Sequence, residues 1–320
     1  MDKRLSVSSS PHIRSEVTTQ RLMLDVIIAL LPASFAGIYS YGINAALIIA
    51  VTVLSCVAFE YLMRKALKRS NTIYDLSAVV TGLLLALNLP PALPLWIAVV
   101  GAFFAIVIVK QLFGGLGQNF VNPALAARAI LLVAYGSKMT YWSEPLVQAS
   151  RNVVDAVSAA TPLGIMKEGG NLPQITDLLL GSFGGSLGEA SAIALIIGGL
   201  YLLVRRVISW HIPVLYIGTV AIISWLLGPE GLLTGNPLYH VLAGGLLIGA
   251  FFMATDYTTS PMTRKGMIIY AVGCGALTML FRLYTNMPEG VSYAILLMNV
   301  TVPMIDRYTN PRRFGGGAHV

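Results

Sequence analysis

Charged residues are scarce in this sequence: of its 320 residues, 11% are Asp, Glu, Lys or Arg, whereas 56% are hydrophobic. Soluble domains carry about 25% charged residues, so a water-facing surface cannot be built over most of this chain. Cysteine is also scarce. Cys56 and Cys274 each lie in an apolar run with no second cysteine nearby, which argues against a cysteine-held iron–sulfur cluster and favours two small buried hydrophobes.

Several common functional motifs are missing as well. The four histidines show no metal-ligand spacing, and the sequence contains no phosphate-binding loop and no dinucleotide fingerprint after a strand. The net charge of +7 is distributed in short basic clusters between apolar runs. That is where membrane-orientation signals belong, so we expect no nucleic-acid partner. The histidine spacing gives the second expectation, that the chain has no metal site.

Long apolar runs dominate the rest of the sequence. A run of about 17–20 residues is long enough to cross a hydrocarbon core of about 30 Å as a helix, so the pattern predicts an all-α polytopic membrane protein with about ten transmembrane helices. Two runs, 77–89 and 123–136, are shorter than a full span, which indicates tilted, broken or re-entrant segments beside a site. The predicted helices are 22–40, 43–62, 77–89, 95–112, 123–136, 189–207, 212–228, 237–254, 267–284 and 290–305.

The distribution of lysine and arginine between alternate loops predicts the orientation, because cytoplasmic loops retain positive charge. With about ten spanning helices, 16 of the 21 basic residues fall on the side that holds both termini. Arg128 falls within the fifth predicted helix. We therefore expect a plasma-membrane protein with both termini in the cytoplasm, and the few basic residues on the opposite side are Lys138, Arg151, Lys167 and Arg282.

Five predicted helices precede the one long polar segment and five follow it, so the two halves are expected to be inverted relative to each other. A weak internal similarity between 81–86 and 244–249 agrees with a repeat, although such small-residue and leucine strings also recur by chance. The predicted regions are a cytoplasmic N-terminal segment (1–21), a first half (22–136), an extracytoplasmic segment (137–188), a second half (189–305) and a cytoplasmic tail (306–320).

The extracytoplasmic segment contains the run Asp155-x-x-Ser158-Ala159-Ala160-Thr161. It resembles the flavinylation motif of the D component of the Rnf complex and of the B component of the sodium-pumping NADH:quinone reductase. In that family the final threonine carries FMN through a phosphoester, so the resemblance implies covalent FMN on Thr161, with Asp155 and Ser158 recognised by the attaching enzyme. Ala159 stands where the family has glycine. Without the resemblance, the run is a Ser/Ala-rich turn ended by a proline.

A second stretch, residues 114–129, also resembles the family, and the likeness extends over nearly the whole chain. It contains a glycine-rich turn followed by Asn119 and Asn122. The turn is either a flexible hinge or a place where backbone approaches a ligand closely. Each asparagine side chain offers an acceptor and two donors, which suits the edge of a flavin pyrimidine ring. Since the related quinone reductase holds a non-covalent riboflavin, these asparagines are the candidates for a second flavin site.

The resemblance implies a function in electron transfer. The chain is expected to be a membrane component, not catalytic alone, of an ion-translocating ferredoxin:NAD oxidoreductase that moves Na⁺ or H⁺. Its implied partners are the A, B, C, E and G components of the Rnf complex, one of which also carries covalent FMN, together with the flavin-attaching enzyme. The alternative is a solute channel or secondary transporter, because inverted halves and short helices are typical of transporters.

Ionisable residues in the apolar runs are costly unless paired or functional. Arg128 is the clearest case. Five others lie near predicted helix ends, where snorkelling of the charged group to water is the expected explanation; they are Asp25, Glu60, Asp256, Arg282 and Asp306.

Overall fold

The computed structural model describes residues 17–143, 145, 161–168, 170, 172–181, 183–228, 231–233, 235–285 and 290–310. This part of the chain is helical apart from a hairpin of two-residue strands, β1 (Leu227–Gly228) and β2 (Gly231–Leu232), in which Leu227 pairs with Leu232. The prediction of an all-α chain is therefore confirmed, except for the hairpin. Asp155 and Ser158 lie outside the described residues.

Helices occupy the predicted apolar runs before the long polar segment. They are α1 (Thr19–Tyr41), α2 (Ile43–Ala66), α3 (Ser77–Leu87), α4 (Leu95–Phe103, continuing as a π-helix over Phe104–Gln111), α5 (Pro123–Ala134) and the short α6 (Gly136–Met139). A π-helix inside an α-helix often marks a functional site, and the one in α4 contains Lys110.

The remaining helices include two within the predicted polar segment. In chain order they are α7 (Pro162–Glu168), α8 (Ile175–Leu180), α9 (Ala192–Val204), α10 (His211–Leu226), α11 (Pro237–Leu242), α12 (Leu246–Ile248, continuing as a π-helix over Gly249–Met253), α13 (Arg264–Tyr284) and α14 (Val291–Thr309).

The run at 237–254, predicted as one helix, is broken between α11 and α12. Gly244 and Gly245 both adopt left-handed backbone, with φ of 70° and 68°. Residues with a side chain rarely adopt this conformation, and two in succession end the α-helix. The two short runs, 77–89 and 123–136, are the places where the sequence indicates a tilted, broken or re-entrant segment, and they form the helices α3 and α5. The break between α11 and α12 lies instead in a run of full length.

Three helices, α1, α2 and α13, are long and apolar enough to cross a membrane by length and composition. Their outward residues include Phe35 and Leu54, which are 65% and 68% exposed. The interior, by contrast, holds charged and amide side chains such as Glu60, Lys110 and Asn299. Apolar residues outside and polar residues inside are the arrangement that a lipid solvent favours, because polar groups in lipid must find partners within the protein.

Small residues bring the two parts of the chain into close contact. A Cβ atom on Gly198 in α9 would lie 2.1 Å from the Ala29 carbonyl oxygen in α1. Backbones that approach this closely tolerate only glycine, and such contacts are common between membrane helices. The contact fixes α9 against α1, and the same core includes Leu30, Ile48, Leu85 and Tyr216.

Candidate functional site

Thr161 is the residue that immediately precedes α7, and its side chain caps that helix. Its Oγ1 accepts a hydrogen bond from the Gly164 N–H at 3.2 Å, and its carbonyl accepts one from the Ile165 N–H at 2.9 Å. The side chain is buried. The sequence pattern predicts a turn at Thr161. The structure adds that the Thr161 hydroxyl satisfies a backbone donor at the start of a helix, so the side chain contributes to the local fold.

Helix α7 is anchored to the break between α11 and α12. Leu163 packs in a buried cluster with Leu178, Phe183 and Ala243. A Cβ atom on Gly244 would lie 2.4 Å from Leu163 Cδ1, so the absence of a side chain there makes room for α7. Because Leu163 is two residues after Thr161, this packing fixes the position of the threonine hydroxyl relative to the broken helix.

Arg282 stabilises the break itself. Its guanidinium donates to the carbonyl oxygens of Ala243 at 3.0 Å and Gly244 at 3.2 Å, and also to that of His240. A broken helix leaves carbonyl groups without intrahelical partners, and a buried cation satisfies them. Arg282 is 3% exposed. The expectation that it snorkels to water is therefore wrong, since its charge is used inside the protein.

Asn119 and Asn122 line one cavity, beside the glycine-rich turn. In this turn Gly114, Gly115 and Gly117 have positive φ values between 90° and 126°. A Cβ on Gly115 would lie 2.8 Å from the Arg64 guanidinium, so this glycine allows a close approach. The turn is therefore a folded feature with specific contacts and not merely a flexible connection.

The two asparagines differ in how their side chains are used. Asn122 caps α5: its Oδ1 accepts from the N–H groups of Ala124 (3.0 Å) and Leu125 (3.3 Å), and its amide donates to the Met253 carbonyl at 3.4 Å. Asn119 donates to Thr258 Oγ1 at 3.0 Å and to the Val121 carbonyl at 3.3 Å.

The Asn119 Oδ1 is buried without a hydrogen-bond partner among the residues that the structure describes. A buried unsatisfied acceptor beside a cavity is costly, and a ligand donor would relieve that cost. Asn119 is thus the asparagine with capacity left for a ligand, whereas the side chain of Asn122 is already occupied.

Lys110 lines the same cavity and forms an ion pair with Glu60, with 2.8 Å between Nζ and Oε2. Lys110 also donates to Ser77 Oγ at 2.6 Å, while Glu60 accepts from Gln111 and Thr72, each at 3.1 Å. Both charged side chains are nearly fully buried. The expectation that Glu60 snorkels to water is wrong, because its partner lies inside the protein.

Arg128 connects three parts of the fold. Its guanidinium donates to Asn88 Oδ1 at 3.2 Å, after α3, and to Ser292 Oγ at 2.8 Å, in α14. Asp25, also buried, forms an ion pair with Arg205 at 3.3 Å. Among the described residues no group of three or more His, Cys, Asp or Glu could hold a metal ion.

Comparison with known proteins identifies what the chain resembles. The model of the "NQR2, RnfD, RnfE family" matches residues 6–315. The D component of a Na(+)-translocating ferredoxin:NAD(+) oxidoreductase complex from Acetobacterium woodii is 52% identical over 315 residues, covering 97% of this chain and 95% of the relative. A proton-translocating counterpart from Clostridium ljungdahlii is 47% identical, covering 97% and 96%. The D component of an ion-translocating oxidoreductase complex from Stutzerimonas stutzeri is 42% identical, covering 96% and 94%.

Proposed function

The chain belongs to the NQR2, RnfD, RnfE family, and on that premise we propose that it is the membrane-bound D component of an ion-translocating ferredoxin:NAD oxidoreductase and passes electrons through covalent FMN on Thr161. The observation that carries the proposal is the similarity to relatives named as the D component, which extends over 97% of the chain at 52% identity. Two of these relatives are named for different ions, sodium and the proton. The complex is therefore proposed to move a cation, either Na⁺ or H⁺.

The environment of Thr161 suits a tethered flavin. When bound, FMN supplies one- and two-electron transfer, and the protein supplies position and electrostatics. The hydroxyl of Thr161 is held at the start of α7 by Gly164, and α7 is packed against the broken helix through Leu163. An acceptor oxygen that is fixed in this way limits where the attached group can lie. The role of Thr161 is attachment, and it is not a nucleophile in the electron-transfer reaction.

The complex as a whole requires partners. The sequence has no dinucleotide fingerprint after a strand and no cysteine cluster. With the family resemblance, this proposal assigns the sites for NAD and ferredoxin to the other components of the Rnf complex (A, B, C, E and G), one of which also carries covalent FMN. The flavin-attaching enzyme is a further, transient partner, recognising the segment that includes Asp155 and Ser158.

A secondary transporter is the second candidate, because the break between α11 and α12 is typical of that class. One observation separates the two functions. The wild-type chain, produced together with the flavin-attaching enzyme, is expected to fluoresce at its own mass on a denaturing gel under ultraviolet light. A transporter without a flavin gives no fluorescent band.

The proposed topology has about ten spanning helices in two inverted halves, with both termini in the cytoplasm. We expect a membrane-impermeant maleimide, added to sealed right-side-out vesicles, to label Gln174→Cys and not Tyr74→Cys. Both positions are exposed. The native Cys56 and Cys274 are buried and make a low background. Labelling of Tyr74→Cys before the vesicles are permeabilised would show that the orientation is wrong.

We further propose that the cavity at Asn119 holds a non-covalent riboflavin. Asn119→Leu is expected to lower riboflavin content at least about tenfold, because it replaces the unsatisfied buried acceptor with an apolar side chain. Covalent FMN should not change. The measurement is flavin extracted by acid from the purified protein, compared with the fluorescence that remains on the chain.

Asn122 provides the control for that experiment. Asn122→Leu removes a helix cap that contributes about 1 kcal/mol, so it should lower thermal stability and riboflavin together. Asn122→Ser keeps a capping oxygen and should restore both. If wild type contains no extractable riboflavin, or if Asn119→Leu retains it, the second flavin site is not at this cavity.

A further inference from the structure

A second groove, of about 890 Å³, lies where α9 ends and where α10 and α13 begin. Its walls come from 203–212 without Arg205 and His211, from parts of the 255–260 segment and from the first turn of α13. Helix α13 is long and apolar enough to cross a membrane by length and composition, which would place its first residue, Arg264, at the membrane edge. With α13 in that position, the groove opens at the boundary between hydrocarbon and water.

The groove carries positive charge that its own walls do not neutralise. Arg206 and Arg264 both line it and are exposed, and none of the described residues in its walls is acidic. Within the described part of the chain neither guanidinium forms an ion pair or a hydrogen bond, whereas Arg205, the neighbour of Arg206, binds Asp25. Guanidinium groups are suited to phosphate because their donors match its oxygens.

Arg206 also has an unusual backbone. Its φ of 56° is in the left-handed region, which is costly for a residue with a long side chain. The strained position lies in the sharp turn between α9 and α10 and directs the chain so that Arg206 joins the groove while Arg205 turns to Asp25. The same conformation ends α9, because the Arg206 N–H donates to the Leu203 carbonyl at 3.0 Å and the Val207 N–H to the Leu202 carbonyl at 2.9 Å.

The other walls of the groove are mainly apolar, with hydroxyl groups at Ser209, Thr255, Tyr257 and Ser260. Val204 is 81% exposed, and Trp210 is 56% exposed and stacked on His211 at 4.1 Å between ring centroids. Tryptophan at the end of a membrane helix typically lies at the level of the lipid headgroups. A free phosphate ion would gain no binding free energy from contact with these apolar walls. A ligand with an anionic head and a hydrocarbon body would contact both the arginines and the walls.

We propose that this groove binds an anionic phospholipid, with the phosphate against Arg206 and Arg264 and an acyl chain along Val204 and Trp210. Basic pockets between membrane helices bind lipid headgroups by the same chemistry. The groove includes neither Thr161 nor Asn119, and it adjoins the cavity at Asn119 through the shared residues Ile208, Thr255 and Tyr257. It would hold a lipid whether or not the chain carries a flavin.

The test is native mass spectrometry of the full chain and of the assembled complex, each exchanged into detergent with equal amounts of phosphatidylglycerol and phosphatidylcholine. Wild type is expected to retain phosphatidylglycerol selectively. Arg206→Gln with Arg264→Gln should reduce that retention about tenfold, the effect of losing roughly 1.4 kcal/mol of binding free energy. Lys265→Gln is the matched control, because it removes the same charge beside Arg264 without touching the groove.

Other outcomes overturn the proposal. Equal retention of the two lipids, or an unchanged double variant, would show that the arginines do not select an anionic lipid. Displacement of the lipid by inorganic phosphate at equal concentration would identify the site as one for a free anion. Retention by the isolated chain but not by the complex would show that a partner protein, and not lipid, covers the groove.

Discussion

Thr161→Val is expected to abolish covalent flavin on this chain completely. Valine has nearly the shape of threonine but no hydroxyl, so no phosphoester can form. Electron transfer through the complex should then be lost. The measurement is fluorescence of the chain on a denaturing gel, after expression with the flavin-attaching enzyme.

The cap formed by Thr161 makes a second variant necessary. Valine also removes the acceptor for the Gly164 N–H, at a cost of about 1 kcal/mol. Thr161→Asn keeps a capping oxygen but offers no hydroxyl, so it should fold like wild type and still carry no flavin. Ser158→Ala should retain fluorescence. A fluorescent Thr161→Asn variant would contradict attachment at this residue. A wild-type chain without fluorescence would favour the transporter candidate.

The second large effect is expected at the buried ion pair. Lys110→Met leaves the Glu60 carboxylate without its cation, and Glu60→Gln leaves the Lys110 ammonium without its anion. Removal of one partner of a buried pair costs about 3–5 kcal/mol, because an uncompensated charge remains in the interior. The measurement is the thermal unfolding midpoint of the purified protein in detergent, which should fall clearly for both single variants.

The double variant Glu60→Gln with Lys110→Met tests whether the effect belongs to the pair. With both charges removed, the loss of stability should be smaller than the sum of the two single losses. Lys65→Met, on the exposed surface of α2, is the control and should change the midpoint little. Additive losses in the double variant would show that the two residues do not stabilise each other.

Some parts of the fold follow directly from the sequence. The apolar runs predict where helices lie, because a run long enough to span lipid has few alternatives to a helix. Scarcity of charge indicates the membrane environment, which the buried polar interior and apolar exterior support. The motifs also identify the family. These predictions depend on composition and on the local sequence, and they require no knowledge of the tertiary contacts between distant residues.

Pairing between distant residues could not be predicted. Glu60 and Arg282 lie near the ends of their predicted helices, so the sequence favours snorkelling, whereas their partners are 50 residues away at Lys110 and about 40 residues away at Ala243 and Gly244. The break in the 237–254 run escapes prediction for a related reason. Two adjacent glycines permit left-handed backbone but do not require it, and the carbonyl groups that it exposes depend on Arg282.

The role of Thr161 as a helix cap shows the same limit at short range. The motif indicates an attachment point, and Pro162 after it is consistent with the end of a turn. Proline is also favoured at the first position of a helix, and a threonine before it is a good N-cap. Both signals are present in the sequence, but a helix as short as α7 has too few residues to show a helical period of apolar side chains.

The Glu60–Lys110 pair also has a consequence for how the protein is made. The two residues are separated by 50 positions and belong to different helices. At a synthesis rate of about 5–20 residues per second, Glu60 emerges roughly 2.5–10 seconds before its partner exists. During that interval the Glu60 carboxylate lacks its native partner, and the cations nearest to it in the chain are Arg64 and Lys65 of α2. The native contact at Glu60 can therefore form only after α4 has been made, so the packing of α2 is completed late in synthesis.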